Sequence, residues 1–106
     1  MNYWAINKDN AIKRALLALE ERFGPGAFTM SSRWDGDVKA VGLFQPGEDA
    51  LLAYIYTHGQ ASGKYGVHLE YPGTNGNPLA NLTEMTENVD LEHLIGLLTA
   101  HFNIVA

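Results

Sequence analysis

The sequence predicts an α+β fold, and three observations predict it. Near each end of the chain, apolar residues recur at helical spacing: Ile12, Leu16, Leu19 and Phe23 first, and Leu91, Leu94, Ile95, Leu98 and Phe102 last. Between these stripes the period drops to two, interrupted by runs rich in Gly, Pro and Asp. The chain has 106 residues, enough for one core and too few for two, so residues 1–106 read as a single domain.

Asn7 to Phe23 is the first predicted helix. Ala15 fills its apolar face, Asn7 or Asp9 is placed to cap its start, and Gly24-Pro25-Gly26 stops it. Phe28, Met30 and Trp34 then alternate with Thr29, Ser31 and Arg33 as a strand. Asp35-Gly36 predicts a two-residue hairpin turn flanked by Trp34 and Asp37. With the return strand at about Val38 to Phe44, Phe28, Met30, Val41 and Leu43 share one face. Ala27, Thr29, Val38, Ala40 and Phe44 share the other, which is only weakly polar. Gln45 to Asp49 read as a turn, Leu51 to Thr57 as a third strand and Tyr65 to Tyr71 as a fourth. A hairpin between the last two sets Tyr65, Val67, Leu69 and Tyr71 opposite Leu51, Ala53 and Ile55. The reverse face then carries Leu52, Tyr54, Tyr56, His68 and Glu70.

Pro72 to Pro78 is a loop by composition. Residues 79–89 leave two readings open, an edge strand around Leu82 to Thr86 or an irregular connection. Asp90 is placed to cap the last helix, with Glu92 favourably in its first turn. Gly96 weakens that helix by up to about 1 kcal/mol against Ala unless it permits close packing. Asn103 ends the helix, and Ile104-Val105-Ala106 is placed to tuck back onto the core. Two helices on one face of a four- or five-stranded antiparallel meander hide all of these stripes. Leu17 and Leu97 fall off the stripes. With the weakly polar second sheet face, they leave apolar surface for a partial second cover or for a homodimer.

The net charge of -5 is unevenly spread. Residues 1–64 hold all seven cations and seven acids, and are neutral; residues 65–106 hold Glu70, Glu84, Glu87, Asp90 and Glu92 with no Lys or Arg. Phosphate backbones are bound through Lys and Arg, so direct nucleic-acid binding is not expected. No stretch approaches the roughly 20 apolar residues of a membrane span, and Met1 to Ile6 lack the pattern of a signal peptide. A cytoplasmic protein is therefore expected. The absence of cysteine excludes disulfides and thiolate chemistry.

The motifs that carry chemistry are missing. His58, His68, His93 and His101 include no i,i+4 pair and no His-Glu-x-x-His, so neither metal nor cofactor is expected. There is no nucleophile elbow and no phosphate-binding Gly-x-x-x-x-Gly-Lys-Ser/Thr, and Gly42 and Gly66 inside strands point to bulges or close backbone approach. His68, oriented by Glu70 or by one of the tyrosines of its face (Tyr54, Tyr56), is the candidate general base. The same tyrosines serve binding equally well, supplying contact area at low entropic cost.

In size, charge and element order the chain is similar to small bacterial or phage α+β proteins that bind other proteins: toxin-immunity proteins, anti-defence inhibitors and secretion chaperones. That similarity is one of architecture, without a shared motif. The expected function is a non-enzymatic protein-binding module, an inhibitor or adaptor engaging a basic protein surface. Tyr54, Tyr56, His68, Glu70, Glu84, Glu87, Asp90 and Glu92 are its candidate contacts. A dimeric secretion-type chaperone and a small enzyme built on His68, Glu70 and Tyr54 are the alternatives.

Overall fold

A computed structural model describes residues 7–24, 26–70 and 83–102. In chain order these form helix α1 (Asn10–Phe23), strands β1 (Thr29–Ser31), β2 (Ala40–Gln45), β3 (Glu48–Tyr56), β4 (Tyr65–Glu70) and β5 (Thr83–Val89), and helix α2 (Leu91–Phe102). The five strands make one antiparallel sheet in the order β1-β2-β3-β4-β5. The α+β meander between two helices is thus borne out, with the fifth strand present. Pro25, Tyr71, residues 72–78, Leu82, Asn103 and residues 104–106 lie outside the described residues.

Helix α1 starts at Asn10, later than Asn7, for a local reason. The Lys8 ammonium donates to the carbonyls of Trp34 (2.6 Å) and Asp37 (2.7 Å), and the Asp9 N–H donates to Val38 O at 2.7 Å. These bonds draw residues 7–9 onto the β1–β2 connection before the helix begins. Asp9 occupies the cap position, its carbonyl accepting from Lys13 N, but its carboxylate makes no capping bond. Helix α2 has the expected side-chain cap, with Asp90 Oδ1 accepting from His93 N at 2.8 Å.

Both helices cover the same sheet face. Ile12, Ala15, Leu16 and Leu19 of α1 and Leu94, Ile95, Leu98 and Phe102 of α2 form one core with Val41, Leu43, Ala53, Ile55, Val67 and Leu69. Complete burial of each of the Val, Leu, Ile and Phe side chains among these contributes roughly 1.5–3 kcal/mol, which is what holds the layers together. Tyr65 joins this core through its ring and ties β4 to α1 by donating to Ala11 O at 2.8 Å. Phe28 bridges the helices, meeting Phe23 at 5.7 Å and Phe102 at 5.1 Å between centroids.

Two turns differ from the expected ones. The chain after β1 does not make a two-residue Asp35-Gly36 hairpin. Ser31 accepts a bond from Arg33 N, and Ser32–Trp34 form a short 3-10 turn. Met30 therefore pairs with Leu43, two residues away from the register that turn would give. A slip of two preserves which face each side chain occupies, so the predicted core patch survives it. Trp34, however, leaves that face and folds over Gly42 on the other. Between β2 and β3 the turn is shorter than expected. Gln45 pairs directly with Glu48, leaving Pro46-Gly47 as the turn, with Gly47 at the left-handed φ of 85° that this dipeptide supplies without strain.

Candidate binding face

The sheet face turned away from α1 and α2 carries a continuous row of rings. Two glycines make room for it. A Cβ at Gly42 on β2 would collide with the Trp34 ring, and one at Gly66 on β4 would collide with the Tyr56 ring. Each aromatic therefore lies down against the backbone of the neighbouring strand. In register, Gly42 pairs with Tyr54, Tyr54 with His68, and Tyr56 with Gly66, so alternate residues of three strands bring the rings together.

The contacts run from Trp34 to Tyr54 (4.8 Å between centroids), Tyr54 to Tyr56 (5.2 Å, stacked) and Tyr56 to His58 (4.6 Å, stacked). His68 meets Tyr54 and Tyr56 edge-on at 5.4 and 5.2 Å. Arg33 sits over the Trp34 ring, 4.6 Å from its centroid, a cation–π contact. Tyr54 is half-buried, whereas Tyr56 is only 3% exposed. Gly66 explains this difference: without a side chain there, the Tyr56 ring sinks against β4.

The hydroxyls are engaged. Tyr54 Oη lies 3.2 Å from His58 Nε2. Tyr56 donates to Glu87 Oε2 at 3.0 Å, and Gln60 Nε2 donates to the same oxygen at 2.9 Å. Asn88 N donates to Gln60 Oε1, and Ala61 N donates to Asn88 Oδ1. The β3–β4 loop is thereby stitched to β5 where the β4–β5 ladder is irregular, next to Asn88 with its φ of 54°. Burial, reinforced by the bond to Glu87, pushes the Tyr56 phenol up to about 12. Burial, with Asp37 nearby, also raises the Tyr54 phenol. The bonds from Gln60 and Tyr56 hold the Glu87 carboxyl below its usual range.

The predicted contact residues separate into groups. Tyr54, Tyr56, His68 and Glu70 share the ring-bearing face, and Glu87 reaches it from β5. Glu84 pairs with Leu69, on the helix-covered side of the edge strand. Asp90 is occupied as the α2 cap, and Glu92 lines a groove between the helices with Ala18, Glu21, Arg22 and Ile95. His68 and Glu70 make no hydrogen bond with each other among the described residues, and the Tyr54 hydroxyl points to His58.

The face also contains residues that pattern reading did not select: Trp34, Arg33, His58, Gln60 and Met85. Met85 pairs with His68 and is 63% exposed. The signal was present in Gly42 and Gly66, since strand glycines mark close approach. It did not say which rings approach. His101 is buried on the opposite side of the sheet architecture, its Nε2 3.0 Å from Leu52 O, and burial lowers its pKa. No three His, Asp or Glu residues are grouped to hold a metal ion among the described residues, nor is any helix there long and apolar enough to cross a membrane.

No protein-family model, curated protein or solved structure matches this chain.

Proposed function

We propose that this chain is a non-enzymatic protein-binding module of inhibitor or adaptor type. Its binding face is the ring-bearing side of the sheet together with β5, and its partner presents a basic surface. The observation that carries this reading is Met85, 63% exposed and paired with His68 at the end of a row of packed rings. A large apolar side chain left open beside rigid aromatic groups is the composition of an interface centre. Glu70 and Glu87 lie at the same end, and no Lys or Arg occurs from residue 65 onward. Charge of one sign around an apolar centre selects the opposite sign and speeds encounter. The rings are packed on one another and their hydroxyls are already bonded, an arrangement suited to presenting a rigid surface more than to moving protons.

The test is affinity capture from an extract of the native host. Capture of a protein with a basic surface should weaken with added salt. It should be lost in the triple variant Glu70→Lys/Glu84→Lys/Glu87→Lys and retained in Glu20→Lys/Glu21→Lys on α1. Equal capture by both variants, with no salt dependence, refutes the reading.

A further inference from the structure

β5 is an edge of the sheet, paired with β4 on one side and with nothing on the other among the described residues. An edge strand offers a row of unpaired backbone N–H and C=O groups to any extended chain that fits beside it. The opposite edge, β1, is three residues long and offers little of this; β5 is seven. Its side chains divide by face: Met85 and Glu87 lie with the rings, while Glu84 lies on the helix side. Each face of this edge thus carries one carboxylate, and the ring face adds an open thioether. Glu87 and Asn88 are fixed by Tyr56, Gln60 and Ala61, so one end of the strand is held in place before anything binds.

We infer that β5 accepts an extended segment of the partner as a sixth strand, with Lys or Arg residues flanking an apolar residue that rests on Met85. The inference rests on the protein-binding reading and specifies its mode. Backbone pairing supplies affinity and the alternating side chains supply specificity, the general logic of strand addition. Charge decides the occupant. In an antiparallel pairing of two β5 strands, carboxylates of the two copies fall opposite or diagonal to one another, which is destabilising. A basic segment whose apolar residues rest on the Met85 side sets its cations on the other side, where Glu84 lies, and turns that repulsion into attraction.

Four synthetic peptides of eight residues test this: alternating Lys-Val, alternating Glu-Val, and two Lys-Val peptides carrying N-methyl groups on alternate residues, one in each phase. The readout is hydrogen exchange of the β5 amides with backbone chemical shifts of the whole chain. Lys-Val should slow exchange along residues 83–89 in a salt-sensitive way, and Glu-Val should not. One N-methyl phase should abolish the effect, and Glu84→Lys should weaken binding by about fivefold. Shifts confined to Trp34, Tyr54 and Tyr56 without protection of β5 overturn strand addition while leaving the binding face in place. Lys-Val that perturbs neither region overturns it too, and the capture experiment then decides the broader reading separately. β5 amides already protected in a dimer, without peptide, assign the edge to a second copy and also overturn it.

Discussion

An alanine at Gly66 would drive a methyl group into the Tyr56 ring, whereas an alanine at Gly96 would meet no atom within 4 Å. The two substitutions should therefore have opposite signs. Gly66→Ala should destabilise by about 1–3 kcal/mol, the range for overpacking. Gly96→Ala, on the exposed side of α2, should stabilise by up to about 1 kcal/mol through helix propensity. Urea denaturation of both variants measures this directly. The Tyr56 phenol gives a second residue-level test. In the unfolded chain it titrates from 10.0, and in the fold its pKa is pushed up to about 12. The folded state thus keeps a proton that the unfolded state loses. The stabilisation is complete below pH 10 and disappears as pH rises to about 12. The urea midpoint of the wild type should fall over that window more steeply than that of Tyr56→Phe, which has no phenol to titrate. Period two placed Tyr54, Tyr56, His68 and Glu70 on one face, because alternation is a property of the strand alone. It could not place Trp34, whose direction is set by the 3-10 turn and by the space over Gly42.

At the level of elements, what was legible followed from strong local signals. The α2 cap, the Leu91 to Phe102 stripe and the β3–β4 pairing all appear where the residues put them. The Asp35-Gly36 hairpin failed because competing bonds exist nearby: Ser31 starts a turn early, Asp37 Oδ1 accepts from Lys39 N at 2.9 Å, and Lys8 holds two carbonyls of the same connection. β5 was ambiguous because an edge strand with Glu84, Thr86 and Glu87 lacks the apolar alternation of a buried one. Asp90 illustrates how an element can claim a residue that charge alone assigns to a partner. Asp90→Ala should lower stability by about 1 kcal/mol through loss of the cap, while Asp90→Asn, which keeps a capping oxygen and removes the charge, should stay close to wild type. Thermal or urea unfolding distinguishes these outcomes. If Asn cost as much as Ala, the carboxylate charge would matter more than the capping bond.

Across the whole molecule, the two sheet faces have different tasks. One joins both helices in a single apolar core; the other packs rings side by side and ends at an edge bearing Met85 between Glu84 and Glu87. Charge at such an edge discourages self-pairing, because strands of two copies would align their carboxylates. Without those charges the same edge holds an exposed methionine, flanking threonines and unpaired backbone, which is a template for another strand. The Glu84→Thr/Glu87→Thr double variant should therefore self-associate at concentrations where the wild type sediments as a monomer, and its self-association should weaken little with salt. Sedimentation velocity over a concentration series reads both properties. Glu87→Thr also removes the acceptor of the Tyr56 and Gln60 bonds, so Glu87→Gln with Glu84→Gln serves as the companion pair: it removes the charges but keeps an acceptor for those bonds. Association of both double variants assigns the monomeric state to charge at β5. Association of the threonine pair alone assigns it to the network that holds the end of β5, and a wild type that already dimerises through this edge refutes the role given to its carboxylates.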